Sequence, residues 1–350
     1  MSIAVDHAEQ RSSNEEISIP LPLPLLEIKN LSISLNGSKG LQRDKLVNAL
    51  NIAIKPGEML GLVGESGSGK SLTATAVLGL LHESMGVLEG QIMFNDRDLM
   101  SVSKKEMRTL RGKEIAYIFQ NYQGSFTPFI KIGKQFIESL RSHGKITRKD
   151  AKKKSLMWLE RVRLPAERIF NSYPHELSGG QLQRASLALA LMFKPSLIIA
   201  DEPTTALDVL TGEKILDLLV ELQKELNCAV LLISHDLKHV LKRTDSMAVM
   251  YGGQIVEKGP TKNLQTNPTH PYTKFLLQAR PVLSLEKPRK LAVIPGEPGL
   301  VAKQGCAFAL RCPKAFEKCG TVPEMRCQGN SHGTACHAVD IEGDEKIASS

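Results

Sequence analysis

Long apolar runs are the first feature that this sequence lacks. No stretch among its 350 residues approaches the roughly 18 consecutive apolar residues that a membrane-spanning helix needs. Residues 1–24 are polar, slightly acidic and then rich in proline, without the basic region and apolar core of a secretory signal. We therefore predict that residues 1–24 form a flexible leader and that the protein stays in the cytosol.

Cysteine is nearly absent before residue 306. Cys228 is the exception, and the other five of the six cysteines lie between Cys306 and Cys336. Because Cys228 directly precedes an apolar stretch and free cysteine favours cores, we predict that it is a buried strand residue. In a cytosolic protein, the later group of cysteines favours metal or cluster binding over disulfides.

Disordered and collagen-like chains are excluded by composition, since 42% of the residues are apolar and 23% are charged. The net charge of +8 is compatible with nucleic acid or an anionic membrane surface as partner. We favour a solvated face plus a phosphate site, because the densest basic run, at 145–154, overlaps a predicted helix start. Thr147 and Asp150 there have capping-box spacing.

Patterns of apolar residues predict an α/β fold, with buried parallel strands separated by helices. Beyond residue 259 the composition shifts toward Pro, Gly and Cys, so we place a domain boundary near Leu264. The predicted elements are strands at 26–35, 47–54, 59–63, 115–119, 197–200 and 229–234, helices at 71–81 and 212–226, a mainly helical region at 134–164, and a hairpin at 248–257.

Residues 64–71 fit the glycine-rich phosphate-binding motif and lie between a predicted strand and a predicted helix, as that motif requires. Its glycines let backbone N–H groups curl around a phosphate chain, and the helix N-terminus adds partial positive charge. We expect Lys70 to reach the β- and γ-phosphates and the Ser71 hydroxyl to bind Mg²⁺. The residues are Gly64, Glu65, Ser66, Gly67, Ser68, Gly69, Lys70 and Ser71.

Two acidic residues follow the predicted strand at 197–200. Asp201 and Glu202 would lie at the carboxyl edge of a parallel sheet, beside the phosphate site. This placement predicts Asp201 as the Mg²⁺ partner and Glu202 as the base that polarises the attacking water. A strand ending in Asp-Glu is common, but its combination with the glycine-rich loop is specific.

Further motifs follow in the order found in ABC ATPases, which the chain resembles from residue 25 to residue 264. The signature motif is carried by Ser178, Gly179, Gly180 and Gln181, and the Q-loop glutamine is Gln120. The switch histidine is His235, and the D-loop aspartate is Asp208. The resemblance implies a P-loop NTPase cassette with a parallel core sheet, an antiparallel β subdomain and a helical subdomain. A small extension containing cysteines, residues 265–350, would follow.

The resemblance also implies that two cassettes meet head to tail, with each ATP between the glycine-rich loop of one and the signature of the other. Ser178, Gly179 and Gly180 would then bind the γ-phosphate in trans, at a helix N-terminus. By the same resemblance, Gln120 senses Mg²⁺ and the attacking water and links the site to membrane subunits. His235 contacts the γ-phosphate, and Asp208 belongs to the D-loop.

One departure from the family concerns adenine. ABC cassettes usually stack adenine on an aromatic side chain of the first strand region, where Leu35 or a neighbour would hold it here. No Phe, Tyr or Trp precedes Phe94. We therefore expect adenine to rest on aliphatic side chains or elsewhere, with weak discrimination between ATP and GTP.

The segments after the cassette resemble the extension of ATPases that serve oligopeptide, dipeptide, nickel and related importers. They lie at 267–277, 294–296, 305–308 and 311–313. A simpler interpretation of 271–277 alone is an amphipathic helix begun by proline. Residues 296–299 depart from the family's usual proline-rich loop.

As an importer subunit, the chain would have as partners a second, paralogous ATPase, two permease subunits and an extracytoplasmic substrate-binding protein. It would lie peripherally on the cytoplasmic face of the membrane. Peptides, nickel and metal-chelator complexes all fit as cargo, since this chain does not select it.

The alternative is a nucleic-acid-linked ABC ATPase of DNA repair or the ribosome. Those proteins generally carry two cassettes in one chain, or long coiled-coil or zinc insertions. This chain has one cassette and no DNA- or RNA-binding module, so we expect no nucleic-acid partner.

Four cysteines lie at positions similar to those of the cysteines that bind an iron–sulfur cluster in dipeptide-importer ATPases: Cys306, Cys312, Cys319 and Cys336. Four thiolates suit a 4Fe–4S cluster, and the intervals between the first three exceed those of typical zinc knuckles. Zinc binding, free thiols and an oxidation-prone group without function are the alternatives. Cys327 would be left over.

Overall fold

The protein is represented by a computed structural model that describes residues 23–36, 45–279, 294–328 and 332–339. Apart from Leu23 and Pro24, the predicted leader lies outside the described residues.

The described residues alternate between strands and helices. The strands are β1 (Leu26–Leu35), β2 (Lys45–Ile54), β3 (Met59–Val63), β4 (Met85–Phe94), β5 (Arg97–Asp98), β6 (Ile115–Ile118), β7 (Leu197–Asp201), β8 (Ala229–Ser234), β9 (Ser246–Tyr251), β10 (Gln254–Pro260), β11 (Arg326–Gln328) and β12 (His332–Thr334). The α-helices are α1 (Lys70–Val77), α2 (Lys104–Leu110), α3 (Ile132–Ser142), α4 (Arg148–Arg161), α5 (Ala166–Asn171), α6 (Gly179–Leu191), α7 (Val209–Leu226), α8 (Leu237–Arg243), α9 (Thr261–Thr266) and α10 (Pro271–Gln278).

Two sheets organise the molecule. A four-stranded antiparallel sheet has the order β2-β1-β4-β5, and an eight-stranded sheet has the order β11-β12-β10-β9-β3-β8-β7-β6. Strands β9, β3, β8, β7 and β6 are parallel, whereas β10 and the two short strands beside it are antiparallel. The cassette predicted from the sequence, with its parallel core sheet, antiparallel sheet and helical part, is confirmed.

The large sheet divides the hydrophobic core in two. Alternate residues of β8 face opposite sides, with Val230 and Leu232 in one cluster and Leu231 and Ile233 in the other. The first cluster includes the helical part around Trp158, and the second includes the antiparallel sheet. Because both faces are covered, the carboxyl ends of the parallel strands are held in a fixed arrangement, as the site below requires.

Several predicted elements have different bounds in the structure. The helix predicted at 71–81 ends at Val77, because Gly79 adopts a positive φ of 59°. The helical region predicted at 134–164 is two helices, α3 and α4, which are separated around Gly144. The cap predicted for α4 is present, since Asp150 N–H donates to Thr147 Oγ1 at 3.1 Å.

The C-terminal segment contributes two strands, β11 and β12, to the eight-stranded sheet of the cassette. Strand β12 pairs with β10, so Thr334 lies opposite Glu257 in the large sheet. The boundary placed near Leu264 falls within α9. Cys228 is buried, as predicted, but it lies one residue before β8 and not within the strand. Among the described residues, every helix is too short or too polar to span a membrane.

Candidate functional site

The glycine-rich loop at 64–71 connects β3 to α1, at the carboxyl edge of the parallel strands. Gly64 is required by close packing, because a Cβ atom there would lie 2.1 Å from the backbone oxygen of Met250. Ser66 and Gly67 are exposed, whereas Ser68 and Gly69 are buried. The loop is therefore held against the sheet at its two ends and open to solvent at its tip, a form suited to curling around phosphates.

Lys70 lies inside this loop and is 5% exposed. Its Nζ donates to the backbone oxygens of Gly64 at 2.9 Å and Glu65 at 2.8 Å, and to Ser68 Oγ at 3.3 Å. Burial lowers the pKa of Lys70, while the nearby carboxylates, Glu202 foremost, act in the opposite direction. The ammonium group is thus partly desolvated, so an arriving phosphate would interact with it strongly.

Asp201 ends β7 beside the loop and accepts two hydrogen bonds. Ser71 Oγ donates to Asp201 Oδ1 at 3.1 Å, and Tyr117 Oη donates to Oδ2 at 2.8 Å. Burial raises the pKa of Asp201, against the effect of these hydrogen bonds. A hydroxyl and a carboxylate this close are the hard oxygen ligands that Mg²⁺ prefers, so the pair fits the ion predicted there.

Glu202 has three polar contacts at one carboxylate oxygen. Its Oε2 accepts from Gln120 Nε2 at 3.0 Å and from Thr205 Oγ1 at 2.9 Å, and lies 3.1 Å from His235 Nδ1. The residue has a φ of 46°, which a non-glycine residue rarely adopts. The three residues predicted to act in catalysis, Gln120, Glu202 and His235, therefore meet at one carboxylate oxygen.

The predicted signature residues lie at the N-terminus of α6. Ser178 caps the helix, with Gln181 N–H donating to Ser178 Oγ at 3.3 Å and Ser178 N–H donating to Gln181 Oε1 at 3.1 Å. Gly179 packs closely against Tyr122, since a Cβ atom there would lie 2.5 Å from Tyr122 Oη. Ser178 is exposed and Gly180 half-buried, and within the described residues no hydrogen bond joins 178–181 to the glycine-rich loop.

Asp208 caps α7, where its Oδ1 accepts from Thr211 N–H at 2.9 Å. The next two residues, Val209 and Leu210, are 71% and 74% exposed. This end of α7 is therefore an open surface in the single chain.

Family models match two parts of the chain. One is described as an ABC transporter and covers residues 47–205, and the other is the oligopeptide/dipeptide transporter C-terminal region and covers 256–319. The chain belongs to the ABC transporter ATP-binding family. It is accordingly an ABC ATPase, which binds ATP with Mg²⁺ and hydrolyses it.

Relatives and solved structures agree with this assignment. The oligopeptide transport ATP-binding protein OppD of Bacillus subtilis is 43% identical, covering 84% of this chain and 82% of the relative. OppD of Escherichia coli is 40% identical, with coverage of 86% and 89%. The ATP-binding cassette MJ0796, solved as a dimer bound to ADP and phosphate, has a TM-score of 0.60 at 27% identity, covering 67% of this chain and 98% of that one. Nothing in these comparisons supports the nucleic-acid-linked alternative.

Two site residues of this ABC ATPase were missed by sequence reasoning. Tyr117 reaches Asp201 because β6 pairs with β7 in a register that places Tyr117 opposite Ile199. A tyrosine within an otherwise apolar predicted strand was the available signal. Thr205 gave no signal, because it lies in the turn after Glu202 and its contact depends on that turn's shape.

The position expected to hold adenine lies at the end of β1. Leu35 ends β1 and is 45% exposed, whereas Phe94 is 1% exposed and therefore inaccessible to a base. Residues 37–44, which follow Leu35, lie outside the described residues.

None of the six cysteines, all of which lie within the described residues, forms a disulfide bond. Cys306 and Cys319 are buried and Cys327 is exposed. No group of three or more His, Cys, Asp or Glu side chains in the described ranges is arranged to hold a single metal ion.

Proposed function

We propose that this chain hydrolyses ATP to drive import of a peptide through a membrane complex. ATP hydrolysis by this chain is supported by one observation. Gln120, Thr205 and His235 all contact Glu202 Oε2, next to Asp201. The peptide as cargo, in preference to nickel or a metal chelate, is supported by the oligopeptide transport proteins among the relatives. An ATPase stimulated by binding protein loaded with nickel and not with peptide would reject this cargo.

Each residue has a role that follows from its position. Lys70 and the loop amides hold the β- and γ-phosphates, and Ser71 and Asp201 hold Mg²⁺, whose charge offsets that of the phosphates. Glu202 polarises the attacking water, and Gln120 and His235 orient its carboxylate. Gln120 would also sense Mg²⁺ and the attacking water, and His235 would contact the γ-phosphate. Tyr117 fixes the second oxygen of Asp201, which leaves Oδ1 directed at Ser71.

The complete site requires a second cassette. Ser178 and Asp208 are exposed N-cap residues of α6 and α7. The first N–H groups of a helix have no partner within the helix, so those of Gly179 and Gly180 are available to a phosphate. In the proposed head-to-tail dimer, residues 178–181 bind the γ-phosphate of the ATP held by the partner's glycine-rich loop. The related cassette MJ0796 has been solved as a dimer, which supports the pairing of two cassettes.

The proposed complex contains a second, paralogous ATPase, two permease subunits and an extracytoplasmic substrate-binding protein, with this chain at the cytoplasmic face of the membrane. Co-purification from native membranes under mild detergent is expected to recover two different ATPase chains in equal amounts. Both ATP-facing halves are present in this chain, so a homodimer is physically feasible. An active transporter containing this chain as its sole ATPase would rule out the heterodimer.

We propose that four cysteines bind a 4Fe–4S cluster: Cys306, Cys312, Cys319 and Cys336. Each pair among these thiols is close enough to interact electrostatically, whereas Cys327 belongs to none of these pairs. A single zinc ion with Zn–S bonds of about 2.3 Å needs sulfurs about 3.8 Å apart, a tighter arrangement than a cluster requires. The intervals between the first three cysteines, which are wider than those of typical zinc knuckles, favour the cluster over zinc.

Protein purified without oxygen is expected to be brown and to carry roughly four irons and four acid-labile sulfides per chain. The cluster would connect a segment too short to form its own core, so Cys312→Ser should lower the thermal unfolding midpoint and remove the colour. Cys327→Ser is the matched control and should change neither. Colourless protein with stoichiometric zinc, or metal-free protein unaffected by Cys312→Ser, would exclude the cluster.

Weak discrimination between ATP and GTP is also expected. Stacking of a base on an aromatic side chain contributes roughly 1–3 kcal/mol, and the first strand region has no aromatic residue. Competition binding with the two nucleotides should therefore give dissociation constants within about tenfold of each other. A preference for ATP beyond about a hundredfold would show that another group recognises adenine.

A further inference from the structure

Two motifs of the C-terminal region converge on the glycine-rich loop, although the catalytic account above uses neither. Tyr272, at the start of α10, is fully buried, and its hydroxyl accepts a hydrogen bond from Glu65 N–H at 3.0 Å. Arg311 Nη1 donates to Glu65 Oε2 at 2.7 Å, across 246 positions of the sequence. The backbone and the side chain of one loop residue are thus both held by the C-terminal region.

The Arg311 guanidinium is buried. Its side chain is 1% exposed, and that of Glu65 is 18% exposed. Arg311 Nε donates to the backbone oxygen of Pro295 at 2.6 Å, and Nη1 also donates to Tyr251 Oη at 3.2 Å. These contacts fix the guanidinium in one place, so its position follows that of the whole extension.

An aromatic cluster makes this connection rigid. The ring centroids of Tyr251 and Tyr272 are 4.7 Å apart, and Phe308 lies 5.1 Å from the first and 5.3 Å from the second. The first two contacts are edge-to-face and the third is tilted, and such ring pairs stabilise packing beyond their buried area. The rings hold the Tyr272 hydroxyl and the Arg311 side chain at fixed distances from the loop.

The charge of Glu65 explains why the loop needs these contacts. A carboxylate in a phosphate-binding loop repels the nucleotide, and it lies close enough to Lys70 to interact with it electrostatically. Arg311 pairs with that carboxylate and offsets its charge where solvent screening is weak. Without the arginine, a largely buried negative charge would remain beside the bound phosphates.

We propose that Arg311 is a positioning residue for ATP, which acts through Glu65 to keep the glycine-rich loop in shape and to neutralise its carboxylate. The C-terminal extension thereby contributes to nucleotide affinity from outside the cassette motifs. The proposal rests on the ATP site proposed above. Binding by the wild-type chain tests that site, whereas the variants below test the role of Arg311.

The test is titration calorimetry of the full chain with Mg²⁺ and the non-hydrolysable analogue AMP-PNP. Arg311→Ala is expected to raise the dissociation constant roughly tenfold, within the usual range for coupling between two sites. Steady-state ATP hydrolysis should show the same rise in KM, with kcat reduced by less than about threefold. Arg161→Ala is the matched control, because it removes an arginine paired with Glu225 away from the loop.

Rescue separates this role from a purely structural one. If repulsion by Glu65 causes the loss, Glu65→Gln in the Arg311→Ala background should restore affinity to within about threefold of the Glu65→Gln single variant. An unchanged dissociation constant for Arg311→Ala, or a rise that Glu65→Gln leaves in place, overturns the proposal. Should Arg311→Ala not fold, Arg311→Lys must bind more tightly than Arg311→Gln, and equal affinity of those two overturns it as well.

Discussion

Glu202→Gln is expected to lower ATP turnover at least about a hundredfold, the lower end of what a general base contributes. The amide cannot accept a proton from water, yet its oxygen can still accept from Gln120 or Thr205, so the geometry around it persists. Binding of ATP should be unchanged, because Lys70 and the loop amides hold the phosphates. Phosphate release and equilibrium binding, measured on the same preparation, separate the two effects.

The matched control is Glu221→Gln, a change of the same chemistry at an exposed carboxylate that pairs with Arg163. It should hydrolyse ATP at the wild-type rate. Near-normal turnover by Glu202→Gln would contradict the assigned role of Glu202. A loss of binding as large as the loss of turnover would mean that the carboxylate supports the loop instead.

Lys70→Ala is expected to weaken ATP binding roughly tenfold to a hundredfold, as hydrogen bonds to charged groups contribute roughly 1.5–3 kcal/mol. Two effects add in the same direction. The variant loses the ammonium that meets the phosphates, and it leaves three nearby carboxylates, on Glu202, Asp201 and Glu65, with less positive charge to offset them.

Equilibrium binding of ATP by Lys70→Ala is the measurement. Lys29→Ala, at an exposed lysine of β1 that pairs with Glu27, is the control and should bind like the wild type. Unchanged affinity in Lys70→Ala would show that the backbone amides alone hold the phosphates and that the buried ammonium has another purpose.

The glycine-rich loop was predictable because its chemistry requires contiguous residues. A strand, a turn and a helix N-terminus must follow one another for Lys70 and Ser71 to reach the same phosphate chain, so their spacing in sequence is itself the signal. Asp201 and Glu202 were predictable for a similar reason, since the end of a buried parallel strand defines their place.

Contacts between distant segments were not predictable in this way. Tyr117 meets Asp201 only through the register of β6 against β7, and no local pattern fixes a register between parallel strands. Strands β11 and β12 span three residues each, too short for an alternation to be recognised. The link from Arg311 to Glu65 depends on how the extension packs, which neither segment reveals alone.

The most direct test of the account is ATP-driven peptide uptake by the purified transporter in proteoliposomes. The complex containing this chain, with binding protein and labelled oligopeptide outside and ATP inside, should accumulate peptide while hydrolysing ATP. The same complex with Glu202→Gln in this chain should retain ATP and peptide-loaded binding protein but accumulate no peptide above the ATP-free level. Uptake by the variant at the wild-type rate would contradict the claim that hydrolysis at this site drives import.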